Sequence, residues 1–198
     1  MADVAMTLDG VRVWAEAPRV DLLVRAGELV GLHGPPGAGK GVLLRVAAGM
    51  RAPWEGRVIL APGRQAFVFQ DGGLMSNVDV LENLILPLVY AGGSLEAAGL
   101  RAHAALARFR LGGVATVRPG RLDAALQRLV QFARAEAIAP SRLYLDEALR
   151  PLTDEAAALV AEWLAERRAA GMAVLGSAAD ARHLVALGAR VVSYGGAA

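Results

Sequence analysis

Gly34-Pro35-Pro36-Gly37-Ala38-Gly39-Lys40 is the stretch on which the reading of the whole chain turns. It follows a short apolar run, Glu28–His33, and precedes a segment of helical spacing, Gly39–Met50. Glycines so placed let successive backbone N–H groups turn inward around an anion, and the positive end of the following helix dipole adds to the attraction. The spacing is that of a phosphate-binding loop between a strand and a helix. Of 21 lysines and arginines in the chain, Lys40 is the single lysine. Arginine serves at every other basic position. A compact ammonium on a flexible stem is what this position requires and a planar guanidinium cannot supply.

The next residue breaks the pattern. Loops of this spacing carry Ser or Thr after the lysine, whose hydroxyl coordinates Mg²⁺. This chain has Gly41 and then Val42. The cradle of Gly34, Pro35, Pro36, Gly37, Ala38 and Gly39, with Lys40, Gly41 and Val42 opening the helix, is predicted to bind nucleotide over a weakened metal site.

On the N-terminal side, Val4–Leu8 and Val11–Ala15 alternate apolar and polar residues around Asp9-Gly10, which predicts a β-hairpin. Val20–Val24 is a further strand, and Arg57–Leu60 and Gln65–Gln70 are short strands beyond the loop helix. From Asp79 to Ile138 the pattern is helical, with breaks at Gly92-Gly93, Gly112-Gly113 and Pro119-Gly120. Strands at Leu143–Asp146, Ala173–Leu175 and Arg190–Ser193 alternate with helices at Asp154–Ala170 and Ala178–Leu187, which implies a parallel sheet with crossovers. The expected fold is α/β: N-terminal antiparallel strands, a parallel core sheet and an inserted helical lobe. One domain spans 1–198, with the core lobe in 1–75 and 140–198 and the helical lobe at about 76–139.

Composition narrows the functions available. Hydrophobic residues make up 55% of the 198 and aromatics only 5%, so the core is built mainly of Ala, Val and Leu. There is no cysteine, which excludes disulfides, thiol catalysis and cysteine-based metal sites. A formal net charge of +2 does not point to nucleic acid. Mean hydropathy is high at +0.40. Yet the longest strongly apolar stretch, Leu84–Ala91, contains Pro87 and is far short of the roughly 20 residues a membrane helix needs. No basic segment precedes an apolar one at the N-terminus, so no signal peptide is expected. A cytoplasmic location follows, with partners covering the excess apolar surface.

Two families with loops of this kind resemble parts of this chain. Gly39-Lys40-Gly41 with Pro-Gly ahead of it resembles adenylate-kinase-type loops. Those enzymes carry Thr where this chain has Val42, and their lid arginine motifs are not found here. A nucleoside monophosphate kinase-like enzyme stands as one alternative. The other motifs resemble the ATP-binding subunits of ABC transporters, in family order over nearly the whole chain. Phe67-Val-Phe-Gln70-Asp-Gly-Gly-Leu74-Met75 and Val78–Leu88 look like the Q-loop and the helix after it, and their wording is similar to the Mla-type phospholipid-transport ATPases. Leu143-Tyr-Leu-Asp146-Glu147 resembles Walker B. The resemblance implies Asp146 and Gln70 as Mg²⁺ ligands, Glu147 as general base with Gln70 near the attacking water, and Trp14 as the aromatic that stacks on adenine.

Against that pattern several positions depart. Where the family has Leu-Ser-Gly-Gly-Gln, the register through Ala133-Arg134-Ala135 places Leu122-Asp123-Ala124-Ala125-Leu126. A carboxylate there faces a polyanion, and alanine methyls impede close backbone approach. Thr153 stands where the D-loop would end in Asp, and Ala179 where a switch histidine would precede Asp180. His33, His103 and His183 do not fall at that position. The resemblance thus implies a degenerate nucleotide-binding subunit with weak or absent hydrolysis of its own, binding ATP and Mg²⁺ and peripheral on the cytoplasmic face of the inner membrane. Its partners would be a permease and a second ATPase, as a heterodimer or homodimer, with lipid-related cargo. A structural or regulatory adaptor that binds no nucleotide is the remaining alternative. The apolar stripe Leu74, Met75, Val78, Leu81, Leu84, Ile85 and Leu88 is predicted to dock a helix of the permease.

Overall fold

The computed structural model describes residues 3–195. Eight strands and six helices follow one another as β1 (Val4–Arg12), β2 (Val20–Arg25), β3 (Leu29–His33), α1 (Lys40–Ala47), β4 (Glu55–Leu60), β5 (Gln65–Val68), α2 (Val80–Tyr90), α3 (Leu95–Arg108), α4 (Ala124–Ile138), β6 (Arg142–Asp146), α5 (Asp154–Ala169), β7 (Ala173–Ala178), α6 (Ala181–Ala186) and β8 (Arg190–Ser193). Short 3₁₀ turns occupy Gly112–Val114 and Pro119–Arg121. The strands form a three-stranded sheet in the order β2-β1-β4 and a five-stranded sheet in the order β5-β6-β7-β3-β8. Pairing is antiparallel in the first and parallel in the second.

The predicted hairpin at Asp9-Gly10 is not formed. Val4 to Arg12 is one continuous strand, paired antiparallel with β2 on one side and β4 on the other. Leu8 pairs with Leu22 and Val11 with Val20, so β1 carries one residue more than its partner between these pairs. The extra residue is absorbed as a bulge in which Gly10 takes φ +60° and donates its N–H to Asp21 Oδ1 at 2.7 Å. An Asp-Gly pair between alternating runs signals a positive-φ backbone, and both a turn and a bulge satisfy it. The helix expected at Ala178–Leu187 is also shorter, because β7 runs on to Ala178.

Alternation along the parallel strands divides the core in two. Leu143 and Leu145 of β6 face the α2–α5 side, where Leu84, Phe109, Phe132 and Trp163 pack. Tyr144 faces the other side, toward β1, β2 and α1. The α2–α4 segment does not stand apart from the sheet. Trp163 on α5 meets Phe109 and Phe132 edge-on, each with centroids 5.7 Å apart, and its Nε1 donates to Glu136 Oε2 at 2.7 Å. Arg167 also pairs with Glu136 through two hydrogen bonds.

The apolar stripe after Gln70 is divided between core and surface. Leu84 and Leu88 are buried, and Leu74, Leu81 and Ile85 pack partly against the same cluster, so these side chains serve the core before any partner. Met75, Leu86, Val89 and Tyr90 are exposed. A capping box between Asp79 and Glu82 starts α2. Buried Asn83 bonds the backbone of Met75 in both directions, at 2.7 and 3.0 Å, which holds the loop before the helix. Among the described residues no helix is long and apolar enough to cross a membrane.

Candidate functional site

In a parallel sheet, ligands bind beyond the carboxyl ends of the strands. Here β3 ends in the glycine-rich loop, β6 in Asp146 and β7 at Ala178, so these functional segments converge on one edge. Gly39 caps α1 in a left-handed conformation, φ +89°. The loop is wedged between two neighbours. A Cβ on Gly39 would lie 2.3 Å from the Trp14 ring, and one on Gly34 would lie 1.9 Å from the Tyr194 carbonyl oxygen. Trp14 thus touches the loop, and its ring is half-buried against the β1–α1 side of the core.

Lys40 is buried, and its Nζ donates to the carbonyls of Gly34 at 2.7 Å and Pro35 at 3.1 Å, with Glu147 Oε1 3.9 Å away. Beside it, Asp146 is buried at the end of β6 and accepts a hydrogen bond from Ser177 Oγ at 3.1 Å. Burial pushes the Asp146 carboxyl up, against the opposing pull of Ser177 and Arg45. Arg45, on the first turns of α1, brings Nη2 to 3.7 Å from Asp146 Oδ2 and donates Nη1 to the Gly41 carbonyl at 3.2 Å.

Glu147 is held in an uncommon backbone state, φ +47°. Its N–H donates to Ser177 Oγ at 3.2 Å, and its Oε2 accepts the backbone N–H of Ala179 at 3.0 Å. Buried Arg128 of α4 ties this segment to the Q-loop-like one, donating to the Glu147 carbonyl at 3.1 Å and to the Gln70 carbonyl at 2.5 Å.

A cavity of about 430 Å³ joins the predicted residues: Pro36, Gly37, Gly39, Lys40, Gly41, Val42, Gln70, Asp146 and Glu147 all line it. Gly34 and Pro35 line a smaller neighbouring cavity with His33 and Ala179. Ala38 instead packs against Gly195. Trp14 lines neither of these two cavities and reaches the site through Gly39. A third cavity, of about 420 Å³, adjoins the first and includes Gln70, Glu147, Ala124 and Gln127. Asp123 itself is exposed and accepts the Leu126 N–H as the cap of α4, and Thr153 caps α5 in the same way.

Three contributors escaped the motif reading: Arg45, Arg128 and Ser177. Arg45 stands four residues after Gly41, a helical spacing that could have flagged it. Arg128 and Ser177 act through contacts 19 to 58 residues away in the chain, for which no local pattern exists.

Residues 18–150 match the family model described as ABC transporter. This chain belongs to the ABC transporter family. Among similar ABC proteins, a thiamine import ATP-binding protein of Cereibacter sphaeroides is 37% identical over 179 residues, covering 83% of this chain and 78% of that protein. A lipoprotein-releasing system ATP-binding protein of Paramagnetospirillum magneticum is 38% identical over 144 residues, with 64% of this chain and 63% of that protein covered. The chain spans only 45% of a sulfate/thiosulfate import ATP-binding protein of Synechococcus elongatus. A bacterial ABC transporter cassette solved as a dimer superposes with a TM-score of 0.86 at 24% identity, over 96% of this chain and 94% of the other. The ABC cassette fold, with its antiparallel and parallel sheets, is therefore established, and the nucleoside monophosphate kinase alternative falls away. The chain is the nucleotide-binding part of a membrane transporter.

Proposed function

We propose that this cassette, one domain over 1–198 with a helical lobe at about 76–139, binds ATP and turns it over slowly or not at all by itself. It works paired with a second ATPase subunit, docked on the cytoplasmic face of the inner membrane against a permease. The observation that carries this reading is the state of Glu147. The carboxylate placed to act as general base accepts the backbone N–H of Ala179 at 3.0 Å, and the side chain at 179 is a methyl group that can position neither water nor phosphate. The cradle beside it remains built, with Lys40 held at the mouth of the loop by two carbonyls. Glu147 is read as the general base, Gln70 as its neighbour near the attacking water, and Trp14, which touches Gly39, as the aromatic that would stack on adenine.

A lipid-related cargo is supported by the wording of Phe67–Leu88; the relatives named above serve thiamine, lipoprotein and sulfate systems. The exposed Met75, Leu86, Val89 and Tyr90 are the part of the predicted docking stripe and its flank left for a permease helix. Equilibrium titration with a labelled ATP analogue, together with phosphate release by the same sample, tests the reading. Binding without steady release is the expected result. Release at ordinary ATPase rates, abolished by Glu147→Gln, would overturn it, and absence of binding would leave the adaptor.

A further inference from the structure

The residues present do not fit the metal site that the resemblance implies. Position 41 offers no hydroxyl, and the space such a side chain would need is taken. A Cβ built on Gly41 would lie 2.6 Å from Asp146 Oδ2 and 3.0 Å from Oδ1. The remaining carboxylate is not free either: one oxygen accepts from Ser177, and the other faces the Arg45 guanidinium at 3.7 Å. A small divalent ion demands near-octahedral oxygen ligands and keeps several waters, so at Asp146 Oδ2 it would have to compete with the charge of that guanidinium.

We infer that Arg45 is the resident cation of this site, and that the cassette holds the phosphates of its nucleotide without a divalent metal. The inference rests on the nucleotide-binding reading above and says how that binding is achieved. Arg45 is anchored at both ends of its fork, Nη1 on the Gly41 carbonyl and Nη2 beside Asp146. Its side chain keeps 43% of its surface exposed, against 5% for Asp146, and it lines the same cavity as Lys40. A guanidinium is charged at all working pH values and presents five N–H donors in a plane, of which one is engaged by the Gly41 carbonyl. The others are available to phosphate oxygens, which guanidinium binds in the forked geometry. Glycine at 41 is then a requirement and not a defect: without a Cβ, Asp146 can approach α1 closely enough to orient Arg45. Asp146, implied as a metal ligand, becomes a positioning residue for a cation the chain itself supplies.

The test is the metal dependence of affinity, measured by fluorescence titration of the purified chain with a labelled ATP analogue in EDTA and in excess Mg²⁺. Dissociation constants within about threefold of each other are expected for the unaltered chain. Arg45→Met, which keeps the stem, should weaken binding in EDTA by about tenfold or more, and Arg45→Lys by less. Gly41→Ser combined with Arg45→Met should restore affinity only when Mg²⁺ is added. Circular-dichroism melts of each variant separate a lost contact from a lost fold. An unaltered chain that binds at least about tenfold more tightly with Mg²⁺, with Arg45→Met indistinguishable from it, overturns the inference while leaving the nucleotide reading intact. Absence of binding in both buffers overturns both.

Discussion

The carboxylate of Asp123 accepts the backbone N–H of Leu126 at 2.8 Å and closes the first turn of α4. Removing it by Asp123→Ala should cost about 1 kcal/mol, a fall in melting temperature of roughly 2–4 °C in a chain of this size. Asp123→Ser keeps an oxygen acceptor and should melt close to the unaltered protein. Changing Asp123, Ala124 and Ala125 together to Ser, Gly and Gly places two glycines in the first turn and should lower stability further. If α4 also faces a partner's nucleotide, the same triple variant raises phosphate release by the assembled complex. Unchanged release would leave Asp123 as a helix cap alone.

Lys40→Ala should abolish most nucleotide affinity, by roughly 100-fold, because a buried charge-assisted phosphate contact is lost. Two loop carbonyls lose their donor as well, so the measurement is a pair: isothermal titration for affinity and a melt for the fold. Unchanged affinity in a folded variant would contradict the assignment of the loop.

Arg128 should matter for stability in a way its charge does not suggest. Arg128→Met leaves the Gln70 and Glu147 carbonyls without their donor in a part-buried setting, at a cost of about 1–2 kcal/mol. Urea unfolding gives the total. Hydrogen exchange should show the loss concentrated at residues 69–72 and 147–150, where the tie is made.

Tyr144 predicts an alkaline limit. Its hydroxyl donates to the Ala47 carbonyl at 3.0 Å in a fully buried position, and burial pushes the phenol up to about 12, against the nearby Arg142. A folded value raised above the unfolded one, about 10, means the contribution is whole below pH 10 and lost as pH climbs to about 12. Stability should therefore fall by about 2–3 kcal/mol across that window. Tyr144→Phe should show a flatter profile there, with a lower plateau at neutral pH from the lost hydrogen bond. Urea midpoints at several pH values between 8 and 12 measure both.

Trp163→Ala should be the costliest of these changes, at about 3–5 kcal/mol, because the ring is fully buried between Phe109 and Phe132. Calorimetric melting reads it directly. A loss below about 1 kcal/mol would mean that the three rings do not form one packed unit.

The order of elements, the parallel core and the phosphate loop were all legible, because glycine spacing and apolar periodicity are local signals. Gly10 shows where locality fails. Its positive φ was foreseeable, but whether the chain reverses there or bulges depends on Val20 and Leu22, which supply the register. The predicted docking stripe failed in part for a related reason. Helical spacing puts Leu84 and Leu88 with Leu81 and Ile85, yet only the packing of α3 and α4 decides which of them face inward. In the site, Lys40, Asp146 and Glu147 came from motifs, while the pairing of Asp146 with Arg45 depended on the missing Cβ at Gly41. A motif records what is present at a position, and here the consequence came from what a neighbour could do once the side chain was gone.

The strand that carries the phosphate loop has its two hydrogen-bonded neighbours, β7 and β8, in residues 173–178 and 190–193. The loop itself is braced by Tyr194, whose N–H donates to the His33 carbonyl at 2.7 Å. A ribosome synthesising this chain makes the loop early and its scaffolding late. Nascent chains halted before residue 173 should ignore nucleotide altogether, and capture should begin only once β8 has cleared the exit tunnel. Nucleotide occupancy would then mark molecules whose translation has passed that point.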